Sequence, residues 1–371
     1  MNDKRTINMA SFSSSSCVSA RGHRWVAEWH PHEATWIAWP HNLETWPGRF
    51  DRIPPVFEQK IRILAEVEDV HVLGGPLGSF ELASERLHDC QRAIVHRIST
   101  SDVWIRDYGP TFVLADEGRS LIGIDWRFNA WGNKYEGYDD DIVAAIRICN
   151  ALGCQRSVSR LTCEGGGLET DGEGTLLATS SSLVTASRNP GWSREEIEQE
   201  LVSQLGVDKV VWVDGGGLEG DDTDSHIDQL VRFVRPGVVV VALASADDDP
   251  DAAGLRQQRR RLMEQRDAKD RTFDIVDLPT PPPRFIEGKP VPESYCNFYI
   301  ANELVLVPQF GYRATDDQAM GILRELFPER QLVPLDASDL IWGFGAFHCA
   351  TQQQPRVMAV PPSDAAPSPI V

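Results

Sequence analysis

CEGGGLETDGEGTLLATSSSLV, residues 163–184, and KVVWVDGGGLEGDDTDSHIDQLVRFVRPGVVVVAL, residues 209–243, share five letters: GGGLE stands at 165–169 and again at 215–219. In both stretches a glycine turn sits among strand-like text. Each follows a helical run, DDDIVAAIRICNALG at 139–153 and SREEIEQELVSQLG at 193–206, with apolar residues at helical spacing. Towards the amino end the same rhythm recurs. Residues 34–39 read as a buried strand, VFEQKIRILAEVEDV (56–70) as a helix after Pro54 and Pro55, and VHVLGG (70–75) as a strand. ELASERLHDCQRAIVHRIS (81–99) reads as a second helical stretch, and residues 102–129 as hairpin-rich text turning near Gly118. Towards the carboxyl end, NFYIANELVLVPQFG (297–311) gives strands, DDQAMGILRELFP (316–328) a helix, and residues 331–355 close the series. About five ββαβ-like units result, and a period of about 50–70 residues points to a radial α/β repeat rather than one open sheet.

Two segments break the rhythm. Residues 244–270 begin as an acidic loop and continue as a basic helix, whose Arg259, Arg260 and Arg261 read as a solvated face. PTPPPRFIEGKPVPESY (279–295) reads as a proline-rich crossing loop at the edge of a pocket.

The chain has 371 residues and a formal charge of −19. That field repels phosphate backbones, which disfavours nucleic acid and suits a cationic ligand. Seven cysteines without a C-x-x-C pair disfavour a disulfide framework or structural zinc, and fit a reducing, cytoplasmic setting. No apolar run is long enough to cross a bilayer. The serine-rich stretch 1–24 and residues 359–371 read as flexible tails around a single domain at 25–358.

Polar residues beside glycines mark five candidate places: Trp104 with Asp107, Glu164, His226 with Asp228, His348 with Cys349, and the turn holding Asn129, Trp131 and Lys134. On a strand, the i, i+2 spacing of His226 and Asp228 would set both on one face. A histidine with its own carboxylate can act as acid or base. Cys349 follows Gly343 and Gly345 and precedes a polar TQQQ, unlike a packing cysteine. Asp107 adjoins Arg106, so a local salt bridge is its plain reading, and Glu164 could cap a turn.

The ordered segments EWHPHEATWIAWPHNLETWPG, DVWIRDYGPTF, DWRFNAWGNKY, CEGGGLETDGEGTLLAT, RNPGWSREEIE, EGDDTDSHIDQLVRF and GFGAFHCATQQQP, spanning about residues 25–356, resemble the agmatine deiminase and Porphyromonas-type peptidylarginine deiminase family of the guanidino-modifying (pentein) superfamily. The resemblance implies a five-bladed, pseudo-fivefold α/β propeller with its active site in the central channel. It implies Cys349 as nucleophile, His226 as acid and base, Asp107 and Asp228 as guanidinium ligands, Glu164 as orienter of the histidine, and Trp104 as a wall of the guanidinium pocket. No cofactor or metal is implied. The expected reaction is hydrolysis of agmatine to N-carbamoylputrescine and ammonia through a covalent amidino intermediate, within polyamine biosynthesis.

Arginine, free or in a peptide, is the alternative substrate, with Arg127 as a carboxylate clamp. A propeller that has lost turnover and serves as a binding protein is the non-enzyme alternative. Relatives are often dimers, so a homodimer is expected. Two places depart from the family pattern: Ser225 stands where glycine is usual, and Phe344 and Phe347 replace a more glycine-rich run, which would reshape the pocket.

Overall fold

A computed structural model of the chain describes residues 22–358. Most of both expected tails therefore lies outside the described residues. Within the stretch expected to be a tail, the strand His23–Arg24 pairs antiparallel with Leu114 and Ala115. Burial explains it: His23 is buried against the Gln204 carbonyl, and Trp25 N–H donates to the Leu205 carbonyl.

Five sheets follow one local plan. A strand pairs antiparallel with the next, a helix crosses over, and a third strand pairs parallel with the second. In the first unit these are Gln352–Pro355, His32–Ala38, the helix Ile53–Leu64 and Asp69–Leu73, with Ala93–His96 added. The second has Thr111–Ala115, Ser120–Arg127, the helix Ala144–Leu152 and Gln155–Thr162. The third has Leu168–Thr170, Thr175–Ala178, Arg194–Leu205 and Lys209–Trp212. The fourth has Val231–Arg235, Val238–Leu243, Ala252–Met263 and Asp274–Pro279. The fifth has Tyr299–Ile300, Leu304–Gln309, Arg313–Leu326 and Gln331–Asp336.

Local sequence explains the helices. Ile53–Leu64 carries its two prolines in the first turn, where no intrahelical N–H is lost. Arg194–Leu205 is opened by a capping box between Ser193 and Glu196 and closed by Gly206 at φ +65°. The expected helix over 81–99 is shorter: only Ser79–Arg86 is helical, and Ala93–His96 is a strand beside Asp69–Leu73. Its β-branched Ile94 and Val95 suit an edge strand better than a helix. The arginine run behaves as expected, with Arg259 paired to Asp277 and Arg260 and Arg261 exposed.

Each unit's first strand leaves a short turn, and those turns carry the site residues. They are Ile105–Tyr108, Gly165–Gly167, Ile227–Gln229, Tyr295–Asn297 and the segment 344–351. One buried ion cluster ties all five units. Glu28 accepts from Arg232 at 2.9 Å, His348 at 2.8 Å and the Ile300 N–H at 2.7 Å, and lies 3.5 Å from Arg106. Arg232 also pairs with Glu169 and donates to the carbonyls of Cys296 and Phe298. Burying these charges is costly unless each is paired, and here they are. The cations around Glu28 outweigh its burial and hold it below the usual carboxylate range.

Candidate active site

A cavity of about 180 Å³ opens above Cys349. Trp104, Trp131 and Phe344 supply aromatic wall, and Asp107 reaches its inner end. Six carboxylates line it: Glu44, Asp102, Asp107, Glu136, Asp141 and Asp222. Among the described residues lining it there is no lysine, arginine or histidine.

Cys349 is 4% exposed, and its sulfur accepts from Asn297 Nδ2 at 3.1 Å and donates to Asp228 Oδ2 at 3.4 Å. Burial, then the charges of Asp228 and Asp107, push its thiol well above the ordinary range, against the Asn297 hydrogen bond. Burial and the two carboxylates therefore disfavour a thiolate in the unliganded site. Asn297 also accepts from the backbone N–H groups of His348 and Cys349, which fixes the turn.

Asp228 and His226 are fully buried directly behind this surface. Asp228 Oδ2 accepts from His348 Nδ1 at 2.8 Å, while its Oδ1 has no partner. Burial opposes its charge, but the His348 hydrogen bond and charge outweigh burial and keep Asp228 below its usual range. His226 lies 3.6 Å from Asp107 Oδ1 through Nδ1 and 3.6 Å from Glu164 Oε2 through Nε2. Burial disfavours the imidazolium, yet Asp107, Glu164 and Asp228 raise it to about 9. Asp107 is raised to about 6, chiefly by burial and by Asp228, against the pull of His226. A buried carboxylate oxygen without a partner, as at Asp228 Oδ1, is the kind of orphan that an N–H group of a bound cation would satisfy.

Gly166 makes this convergence possible. A Cβ there would stand 2.7 Å from Asp107 Oδ1, 2.7 Å from His226 Nδ1 and 3.2 Å from Asp228 Oδ2. Its N–H donates to Asp107 Oδ1 at 2.9 Å. Gly343 and Gly345 serve Trp104 in the same way, since a Cβ would come within 2.8 Å and 2.5 Å of its ring.

Glu164 does not cap its turn. Both its oxygens accept from Arg188 Nε at 2.9 Å, and Arg188 also grips Asp224 at 2.6 Å and the Thr223 carbonyl at 2.9 Å. Arg188 thus holds the glutamate and the loop leading to His226 in one buried clamp.

Trp131 donates to Asp107 Oδ2 at 2.8 Å from a left-handed turn. Ala130, Trp131, Gly132 and Asn133 have φ of 51°, 55°, 86° and 65°. Each non-glycine residue there costs about 1–2 kcal/mol. The Asn129 side chain, accepting from the Gly132 N–H at 3.0 Å, offsets part of that cost.

Several expectations need correction. His226 and Asp228 are not on a strand: they flank Ile227 in the turn before Val231–Arg235, and converge on the site by turn geometry. Arg106 pairs with Glu28 and Gln353, not with Asp107. Arg127 is exposed at a strand end, its carbonyl accepting from Cys163 N–H, and does not line the cavity. Phe344 lines the cavity, but Phe347 is buried in the core. The proline-rich loop lines a separate small crevice with Glu219 and Asp251. Ser225 sits at φ +70°, a conformation that suits glycine.

Residues that single-sequence reading missed include Asn297, Arg188 and Glu28. Only the local text RNPGW around Arg188 gave a signal.

The chain is thus an α/β protein of five like units with a reachable thiol among buried acids. Residues 24–355 match the family described as Porphyromonas-type peptidyl-arginine deiminase. An agmatine deiminase of Pseudomonas aeruginosa (strain UCBPP-PA14) is 36% identical over 364 residues, covering 92% of this chain and 97% of its own. The solved agmatine deiminase of Enterococcus faecalis superposes with a TM-score of 0.84 at 30% identity, over 90% of this chain and 96% of that one. A C. jejuni agmatine deiminase solved with substrate bound gives 0.83 at 24% identity, over 91% and 98%, a likeness of fold. This chain belongs to the Porphyromonas-type peptidyl-arginine deiminase family.

Proposed function

We propose that this chain hydrolyses agmatine to N-carbamoylputrescine and ammonia. The observation that carries the reading is the charge of the cavity above Cys349: six carboxylates and no basic side chain among its described lining residues. Agmatine is cationic at both ends and has no carboxylate. Arginine brings a carboxylate that this wall would repel, and Arg127, the residue expected to clamp it, lies elsewhere.

In this reading Asp107 and the free Oδ1 of Asp228 take the guanidinium N–H groups and fix its plane, with Trp104 against its face. The bound cation lowers the thiol of Cys349, its proton passes to water, and the thiolate adds to the central carbon. His226, protonated at neutral pH, gives its proton to the leaving nitrogen, and ammonia departs. The carbon stays on sulfur as an S-alkylthiouronium. His226 then takes a proton from water, whose oxygen adds to that carbon. Collapse expels the thiolate and releases the ureido product. Glu164, fixed by Arg188, keeps the imidazole in place between the two steps.

We read the five units as the blades of a pseudo-fivefold propeller within one domain over about 25–358, with the five turns facing its centre. The ion cluster around Glu28 supports that reading, because it draws on every unit. Cytoplasmic location and a homodimer belong to the same reading. The described residues hold no helix long and apolar enough to cross a membrane.

A substrate panel of agmatine, free arginine and an arginyl peptide tests the proposal, with ureido product and ammonia both measured. Agmatine should lead in kcat/KM by about 10²-fold or more, because the rejected substrates place a carboxylate or a backbone against acids. Equal or greater turnover of arginine would overturn it.

A further inference from the structure

Lys60 is fully buried on the helix Ile53–Leu64, where an ammonium is expensive. Among the described residues, no carboxylate lies within ion-pair distance of it. Its Nζ donates to one oxygen, the Ala350 carbonyl, at 3.1 Å, and rests 3.9 Å over the Phe57 ring. A side chain serving only to fill that space would be apolar. Ala350 directly follows Cys349, so the one partner of this buried amine lies in the turn that aims the sulfur.

We propose that Lys60 is a positioning residue for the nucleophile: its ammonium holds the Cys349 turn by the Ala350 carbonyl and supplies positive charge from the side away from the cavity. The inference rests on Cys349 being the nucleophile, as proposed above. That turn is held from three other directions: Asn297 takes the His348 and Cys349 N–H groups, the Arg106 N–H donates to the Cys349 carbonyl, and the Thr351 N–H to that of His348. Among the described residues only Lys60 holds the Ala350 carbonyl, and it can bring a charge. The other ionisable groups around the turn are Asp228 and Asp107, which disfavour a thiolate, His226 and His348 behind them, and Arg106, whose Nε donates to the His348 carbonyl at 3.3 Å and whose charge is shared with Glu28.

Burial drives the Lys60 amine well below its ordinary range, and a thiolate at Cys349 pulls it back up. The two charges therefore favour each other, and linkage makes the effect reciprocal. Formation of the thiolate is helped by the ammonium, and persistence of the ammonium is helped by the thiolate.

The test is the pH dependence of Cys349 alkylation in the full chain, read by intact mass, with chloroacetamidine and neutral iodoacetamide as probes. In Lys60→Met, which keeps length and loses charge, the alkylation midpoint should rise by about one pH unit. In the same variant kcat should fall about ten-fold with KM within about two-fold. A merely structural lysine would not move the midpoint of a folded variant. An unchanged midpoint with a reactive wild-type thiol overturns this inference alone. A wild-type thiol inert to both probes overturns the nucleophile assignment and this inference with it.

Should Lys60→Met fail to fold, the near-isosteric Cys349→Ser with ¹³Cε-labelled lysine replaces it. The midpoint of the buried lysine should rise by about one pH unit in Cys349→Asp, whose carboxylate stands where the thiolate would form, relative to Cys349→Ser. An equal midpoint in both proteins would refute the coupling.

Discussion

The inner end and the outer wall of the cavity are both acidic, but Glu164 and Asp228 at the inner end are held in a way the wall's carboxylates are not, while Asp107 beside them is raised to about 6 like Asp222 on the wall. At the inner end, Glu164 is locked by Arg188 and Asp228 by His348, and both stay below the ordinary carboxylate range although burial opposes it. On the wall, Asp102, Asp141 and Asp222 have hydroxyl, amide or backbone donors but no close cation at their side-chain oxygens. Burial raises all three, Asp222 to about 6. Acids paired with a cation stay ionised despite burial, whereas acids raised by burial would gain most from a cation entering beside them. The two sets are thereby distinguished by how each acid is paired.

The sharpest way to break that contrast is at the sulfur. Cys349→Ala should reduce turnover by about 10⁵-fold or more while leaving agmatine binding within a few-fold, measured by single-turnover assay and calorimetry. Near-normal turnover would remove the proposed mechanism.

Arg188→Met tests the locked acid next. With Glu164 freed, His226 loses its orienter, and kcat should fall about 10²–10⁴-fold with a smaller change in KM. A loss confined to KM would show that the clamp serves binding only.

The pH profile comes third. Asp107 must be ionised to take the guanidinium, so kcat/KM should climb as pH rises through about 6. His226 must be protonated to release ammonia, so it should decline as pH rises through about 9. Each limb should approach ten-fold per pH unit. A flat profile across both regions would remove these assignments.

On the wall the expected effects are milder. Asp222→Asn should raise KM for agmatine about three- to ten-fold with kcat within two-fold. A fall in kcat instead would place Asp222 with the inner group. The smallest effect belongs to the loop before His226: Ser225→Gly, which relieves a positive φ, should raise stability by about 1 kcal/mol in denaturant titration. A loss of stability would mean that its side-chain contacts outweigh the backbone strain.

The sequence already held the repeat, the crossover helices and the five polar residues that meet below the cavity, because glycine turns and helical periodicity are local signals. What it could not hold was which turns face each other. Arg188, Asn297, Glu28 and Lys60 act through partners 24 to 320 positions away, and no local pattern marks such a meeting. Arg127 misled for the same reason, since nearness in sequence to Trp131 did not bring it to the cavity. The pair at 226 and 228 was legible by residue type but not by conformation, because glycine-rich surroundings and a short turn replaced the strand that an i, i+2 spacing suggests.

The strand Gln352–Pro355, three residues beyond the sulfur, pairs antiparallel with His32–Ala38. Residues 32–38 are made long before residues 352–355, so this pairing waits until the residues between them exist. A nascent chain still short of Gln352 carries Asp107, His226 and Asp228 but not the pairing that sets the Cys349 turn beside them. Such closure between distant positions is slow relative to local folding. The arrangement at the sulfur is therefore among the last features of the fold to form.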